Sequence, residues 1–402
     1  MARIIYREAR SRTFLWVFMA LMAALVVTGL SSAWYMEHHG HIVTGMNNGI
    51  VWGLPHVFAI FLIVAASGIL NMASLASVFG KTTYKPKARL SGLMSIALLV
   101  GGLSVLVLDL GRPDRLTVAM TSYNFKSIFA WNIFLYTGFI VIVGAYLIVQ
   151  MTRSWMKWTG AVGTFAFVWR LILTTGTGSI FGWLVAREAF NAAMLAPLFI
   201  AMSLSLGLAI FITTRLLLDY GCGDRSLGTE LIERLAKLLG IFIATTLYFQ
   251  LLMHLTNLYS AARGGVERFL LVEGGIYPLL FWGGFVILGS LIPMALVFLP
   301  AFNRNRMMVG LASVLVIAGG LASIYVIVIG GQAFPLNIFP GMEVSSSFGD
   351  GQIQHYVPSL PELLLGIGGW ALAALITLVG VKILPILPVE DNVTLNAAAA
   401  AG

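Results

Sequence analysis

Ten separate stretches of this 402-residue chain each run for about 20 residues or more with almost no charge. A helix of roughly 20 apolar residues is what spans the hydrocarbon core of a bilayer. The stretches fall at about 14–35, 52–79, 89–110, 127–150, 158–183, 190–214, 235–255, 275–300, 307–330 and 362–386. The fifth is the weakest, because Arg170 interrupts it and its end is rich in Thr, Gly and Ser. Charged residues make up 10% of the chain and apolar ones 59%, against about 25% charged in a soluble domain. That excludes a water-soluble enzyme, a nucleic-acid-binding module and a disordered chain. The expected fold is an all-α integral membrane protein of about ten transmembrane helices.

Charge then orients it. The formal charge of +8 is spread over helix ends, without the dense patch that a nucleic-acid partner needs. Loops on the N-terminal side carry 17 Lys and Arg, including Lys81, Lys85, Lys87 and Arg89, whereas the other side carries six. The positive-inside rule places both termini in the cytoplasm, with the chain in a prokaryotic inner membrane. The first span, after Arg3, Arg7, Arg10 and Arg12, is expected to be a retained anchor helix. The one cysteine, Cys222, excludes an internal disulfide and a Cys-ligated cluster or zinc site. Any electron-transfer metal must be held by histidine or by another subunit.

The expected organisation is an anchor helix and external loop (1–51), eight core spans (52–330), an external loop (331–361), and a last helix with a cytoplasmic tail (362–402). A shift of 145 residues lays Leu90, Leu93, Ile96 and Leu106 on Leu235, Leu238, Ile241 and Leu251, and Asp109 on His254. The pattern suggests a duplicated bundle. The Pro-rich loop 331–361 reads as a docking surface or a cover, and the tail after Pro388 is bland.

Ionisable groups inside a span are costly and mark function by default. Span two runs inward from near Trp52, which sets His56 roughly 6 Å below the outer surface at 1.5 Å per residue. Spans three and seven run outward and end at Asp109 and His254. Three titratable groups therefore gather in the outer leaflet, while Arg170, followed by Thr174 and Thr175, lies near mid-membrane. Plainer roles stay open: His56 after Pro55 as a helix cap, Asp109 in a self-paired turn with Arg112 and Asp114, Arg170 in a structural ion pair, His254 with Asn257 and Tyr259 as an interfacial cluster. His38, His39 and His41, in the first external loop, are expected in solvent. Only His56 and His254 sit at matching depth for a bis-His haem, so one haem is the geometric maximum. A secondary transporter for a small anion or ion, with Arg170 beside the Thr/Gly run, and a purely structural membrane anchor are the alternative functions.

Trp52-Gly53-Leu54-Pro55-His56, Ser67-Gly68-Ile69-Leu70-Asn71 with Ser74, the basic loop 81–89 and Asp109-Leu110-Gly111-Arg112-Pro113 together resemble the polysulfide-reductase membrane-subunit family (NrfD/PsrC). The likeness covers about 50–330, with a further span, and implies a core of two four-helix bundles, 52–189 (spans two to five) and 190–330 (spans six to nine). Val107 to Trp131 is most similar to the DsrP/HmeB-type subgroup of DsrMKJOP and Hmc-like complexes.

The resemblance implies a subunit without haem or iron–sulfur cluster that binds a quinone (menaquinone or ubiquinone) near the outer face of the first bundle. It implies a docked periplasmic ferredoxin-like iron–sulfur subunit, cytochrome b and cytochrome c subunits, and a cytoplasmic iron–sulfur subunit, in a respiratory oxidoreductase tied to sulfur metabolism. An Asn of the polysulfide-reductase relatives lies by the quinone where His56 stands here. A histidine of other relatives is replaced by Asn71. On that basis His56 and Asp109 are the expected acid–base residues at the quinone oxygens, with Arg112 orienting Asp109. Tyr123, Asn124 and His254 would line the pocket with Asn71, and Arg170, Thr174 and Thr175 would offer a proton path.

Overall fold

The computed structural model describes residues 4–10, 12–222, 227–336 and 351–389, with 339, 342, 346, 347 and 349 between them. The tail beyond Val389, and Ser345, Phe348 and Asp350 of the loop 331–361, lie outside the described residues.

Helix starts follow from local chemistry. Pro55 occupies the first turn of α2 (Leu54–Ile69), where a missing N–H removes no intrahelical bond. The Ser127 hydroxyl accepts from Phe129 N at the start of α6 (Ile128–Met151). Asn305 does the same for Met307 and Met308 ahead of the span Arg306–Ala333. Ser359 and Glu362 form a capping box on the last helix, Leu360–Ile383.

The chain is an all-α integral membrane protein. Among the described residues nine helical segments are long and apolar enough to cross a bilayer, where the sequence suggested ten. The difference is the stretch with Arg170. It forms a helix of 24 residues, α7 (Thr159–Gly182), but its Thr, Gly and Ser residues and the buried Arg170 leave it less apolar than its neighbours.

α2 packs on α4 (Ala88–Leu108) and α6 on α7. On the other side, α8 (Leu195–Cys222) packs on α9 (Thr229–Tyr259) and on Arg306–Ala333, which lies along Ile276–Phe298. α8 also packs against α2 and α7 and joins the two groups. α1 (Thr13–His39) and the last helix pair along the flank of α4. Residues Tyr6–Arg7 pair antiparallel with Leu387–Pro388, beside the basic stretch, where Arg89 lies 3.8 Å over the Tyr6 ring.

Without a hydrophobic force between helices in lipid, close backbone approach through small residues holds such bundles. Gly29 meets Gly368, and Gly289 meets Gly319. At the α2–α8 crossing Gly68 lies against Ser203 and Gly207, so closely that a Cβ on either glycine would overlap backbone. Gly207→Ala should therefore cost about 1–3 kcal/mol as an overpacking substitution. The expected result is a lower unfolding temperature of the detergent-purified protein; an unchanged one would mean that the crossing can open at no cost.

Candidate functional site at the mouth of the first bundle

The segment that leads into α2 has no regular hydrogen bonding of its own, so its backbone must be satisfied from elsewhere. Gln332, at the end of the span Arg306–Ala333, does most of this. Its Oε1 accepts from Val51 N and Trp52 N, each at 3.0 Å, and its Nε2 donates to Trp52 O at 3.0 Å. Arg187 donates to Gln332 O and to Gly49 O, both at 2.7 Å. Leu54 N donates to the Tyr356 hydroxyl at 2.6 Å, which in turn donates to Glu362 Oε1 at 2.7 Å. Glu362 Oε2 accepts from Gly45 N at 2.9 Å and Ser359 N at 2.7 Å. Burial beside Glu362 pushes the Tyr356 phenol far up, so it keeps its proton and keeps donating. Among the described residues the end of the external loop is thus a clasp over residues 45–54.

Trp52, held on both sides of its peptide, presents an indole surrounded by rings. Phe181 lies 5.6 Å away edge-on, Phe129 and Phe190 at 6.2 and 6.3 Å, and the His56 imidazole at 6.4 Å, nearly parallel.

One turn into α2, His56 meets Asp109 from the end of α4. His56 Nδ1 lies 2.7 Å from Asp109 Oδ2; the carboxylate is fully buried and the imidazole 15% exposed. His41 completes the group, with Nε2 at 3.0 Å from Asp109 O and 4.0 Å from Oδ1. The expectation of a solvated His41 is thereby corrected, because the first external loop folds down onto the end of α4. Neither carboxylate oxygen accepts a well-aligned hydrogen bond from the described residues, and the His56 contact is one of charge more than of direction. A buried carboxylate in that condition is costly.

Arg112 is exposed and bonded to Asp114, Nε to Oδ1 at 3.1 Å and Nη2 to Oδ2 at 3.0 Å. That pair holds Asp114 well below the usual carboxylate range and raises Arg112. The Tyr123 ring lies 4.5 Å from that of Phe134, tilted by 36°, and Asn124 accepts from Lys126 N; Tyr123 and Asn124 are both in the turn that precedes α6.

His254 belongs to a different cluster. Its Nδ1 lies 2.6 Å from Glu267 Oε2 and its Nε2 2.9 Å from Gln250 Nε2. Asn257 Nδ2 donates to Glu267 Oε1 at 2.7 Å, and Arg263 donates to Asn257 Oδ1 at 2.7 Å. Both carboxylate oxygens of Glu267 and both ring nitrogens of His254 are engaged. This is a second buried histidine–carboxylate pair, and unlike the first it is satisfied. The sequence reading missed Glu267, on the short α10 (Gly264–Arg268), although Gln250 and His254, one turn apart on α9, hinted at a polar stripe.

Asn71 begins α3 (Asn71–Ser77), 15 residues beyond His56 and so about 22 Å further along the helix direction. It shares a cavity with Arg170. Thr174 Oγ1 lies 2.5 Å from Ser67 Oγ and donates to Arg170 O at 2.8 Å, whereas Thr175 is on the exposed face of α7.

The family description "Polysulphide reductase, NrfD" matches residues 42–336, which contain every residue of the His56–Asp109 group except His41, one position before the match begins. The chain is 29% identical to the Hdr-like menaquinol oxidoreductase integral membrane subunit of Archaeoglobus fulgidus, covering 92% of this chain and 94% of the relative. It is 24% identical to the protein NrfD of Escherichia coli, over 67% of this chain and 90% of the relative. With the menaquinone reductase integral membrane subunit of Nitratidesulfovibrio vulgaris it shares 23% identity over 96% of both chains. A match over most of the chain, through the helices that carry the buried pair, makes this protein a multi-pass membrane member of the NrfD polysulfide-reductase family.

Proposed function

We propose that this chain is the quinone-reactive subunit of a multi-subunit membrane oxidoreductase, with the ring of a menaquinone or ubiquinone against Trp52 and His56. The observation that carries the reading is the contrast between two buried pairs. Glu267 is fully hydrogen-bonded, whereas Asp109, equally buried, has both oxygens without an aligned donor. Relatives named for menaquinol and menaquinone chemistry support it.

A bound quinol supplies two electrons and two protons, and the residues must accept the protons. Burial puts the Asp109 carboxylate behind His56, so the imidazole is the group that reaches a ring oxygen. His56 takes a proton at Nε2, while Asp109 stabilises the cation at Nδ1 and fixes that tautomer. Asp109, with spare acceptor capacity, can then receive the proton from Nδ1, which leaves the imidazole neutral with the quinol proton on Nε2, so that the pair as a whole stores one proton. The Phe129, Phe181 and Phe190 edges keep water from the ring and orient it.

Electrons leave to a partner. In this reading it is a ferredoxin-like iron–sulfur subunit docked on the outer, periplasmic face, with cytochrome and cytoplasmic iron–sulfur subunits completing a DsrMKJOP- or Hmc-like complex of sulfur metabolism. Both termini lie in the cytoplasm, as the Lys/Arg bias requires.

His56→Gln in the intact complex tests the reading. The expected result is a fall of about 10²-fold or more in quinol turnover, the scale of a lost general base, with the same set of subunits assembled. Full turnover by an intact His56→Gln complex would remove His56 from the reaction.

A further inference from the structure

The cavity that Asn71 shares with Arg170 lies in the other half of the membrane region, and its chemistry is specific. It encloses about 300 Å³ between α3, α7, α8 and α9. Its walls are apolar, mostly Leu, Ile and Met side chains with Phe79, Phe167 and Phe242 among them, and the two polar side chains that line it are Arg170 and Asn71. Arg170 is 2% exposed. Its Nε and the Asn71 Nδ2 are both buried N–H donors with no acceptor among the described residues, although a buried donor without an acceptor costs on the order of 1–3 kcal/mol.

Charge and hydrogen bonding are unequally compensated here. Arg170 Nη1 donates to Ser67 O at 3.4 Å, close to the C-terminal end of α2, where unpaired carbonyls and the negative end of the helix dipole favour a cation. The Phe167 ring face lies 5.1 Å from the guanidinium carbon, a further cation–π contribution. Part of the positive charge is thus offset, while two buried donors on residues that line an apolar space keep no acceptor among the described residues. Arg170 is also 11 residues into α7, about 16 Å from its cytoplasmic start, too deep for a lipid headgroup held at the surface. The complementary occupant is a neutral, flat, apolar molecule with carbonyl oxygens.

We propose that this cavity is a second quinone-binding site, in the cytoplasmic half of the membrane, where Arg170 and Asn71 donate to ring carbonyls. It rests on the reading that the chain takes quinones, but not on His56 or Asp109. The bound molecule undergoes no reaction there; it is held.

The test is a photoreactive azidoquinone added to the intact complex in nanodiscs, with labelled peptides mapped in wild type, Arg170→Gln, Arg170→Lys and Leu204→Trp. The expected result is label on the α8–α9 segment 200–242 in wild type and Arg170→Lys. It should fall at least tenfold in Arg170→Gln, which removes the charge and keeps an amide, and in Leu204→Trp, which fills the cavity and leaves Arg170. Label around Trp52 should be unchanged. Inner label with none near Trp52 would support this site and count against the outer one. No inner label in wild type, or inner label indifferent to both Arg170→Gln and Leu204→Trp, would overturn the proposal. So would an Arg170-dependent co-purifying lipid, identified by mass spectrometry, that is a phospholipid or fatty acid.

Discussion

Asp109→Asn is expected to lower quinol turnover of the intact complex by about 10²- to 10⁴-fold, the range for loss of a group that supports general acid–base transfer. The substitution keeps the shape of the side chain and leaves the Asp109 carbonyl available to His41, so the local fold has no reason to change. What it removes is the negative charge 2.7 Å from His56 Nδ1 and the acceptor that receives the relayed proton. An amide can also turn its NH₂ towards the imidazole and impose the wrong tautomer, with Nε2 protonated and unable to accept. Turnover should therefore collapse while quinone binding and the assembly of the complex persist. A complex with Asp109→Asn that turned over at the wild-type rate would show the pair to be structural. The corresponding substitution in the other pair, Glu267→Gln, is expected to alter stability more than turnover, because Glu267 spends its oxygens on His254 and Asn257.

Glu362→Ala is the second large effect, and it reads out stability. Three donors converge on this buried carboxylate: the Tyr356 hydroxyl, Gly45 N and Ser359 N. Removing it strands all three and takes away half of the capping box on the last helix. The expected loss is on the order of 3–5 kcal/mol, as for breaking a buried, fully bonded charge. It should appear as a large fall in unfolding temperature together with increased proteolysis near residues 45–54. Glu362→Gln should cost less, since an amide oxygen can still accept from one of the donors. Equal thermal stability of wild type and Glu362→Ala would mean that the clasp bears no part of the fold. The approach to His56 would then be held by Gln332 and Arg187 without help from the end of that loop.

How much of this was legible in the sequence depended on the range of the interaction concerned. The membrane class, the helices and the depth of His56 and Asp109 followed from apolar runs of bilayer length and a fixed rise per residue, which are local quantities. The fifth stretch shows the same rule at its limit. Its helix forms, but its polarity is explained only by the neighbours that bury Arg170 and Thr174. Arg112 stands three residues from Asp109 in sequence, yet it turns to Asp114, two residues on, because the chain leaves the helix there. His41, 68 residues away, takes the place beside Asp109 instead.

Gln332 could not be read at all. One amide in an apolar run says nothing about the Val51 and Trp52 peptides, 280 residues earlier, that it completes. Nor could the two histidine–carboxylate pairs be told apart, since each is only a titratable residue near a helix end until its partners are counted. Composition and apolar runs of bilayer length determined that this chain lies in a membrane, as helices. The tertiary structure alone decided which ionisable groups are satisfied and which, among the described residues, are left without an aligned hydrogen-bond donor. In a medium that offers no water to a buried polar atom, that difference is set by contacts between distant segments.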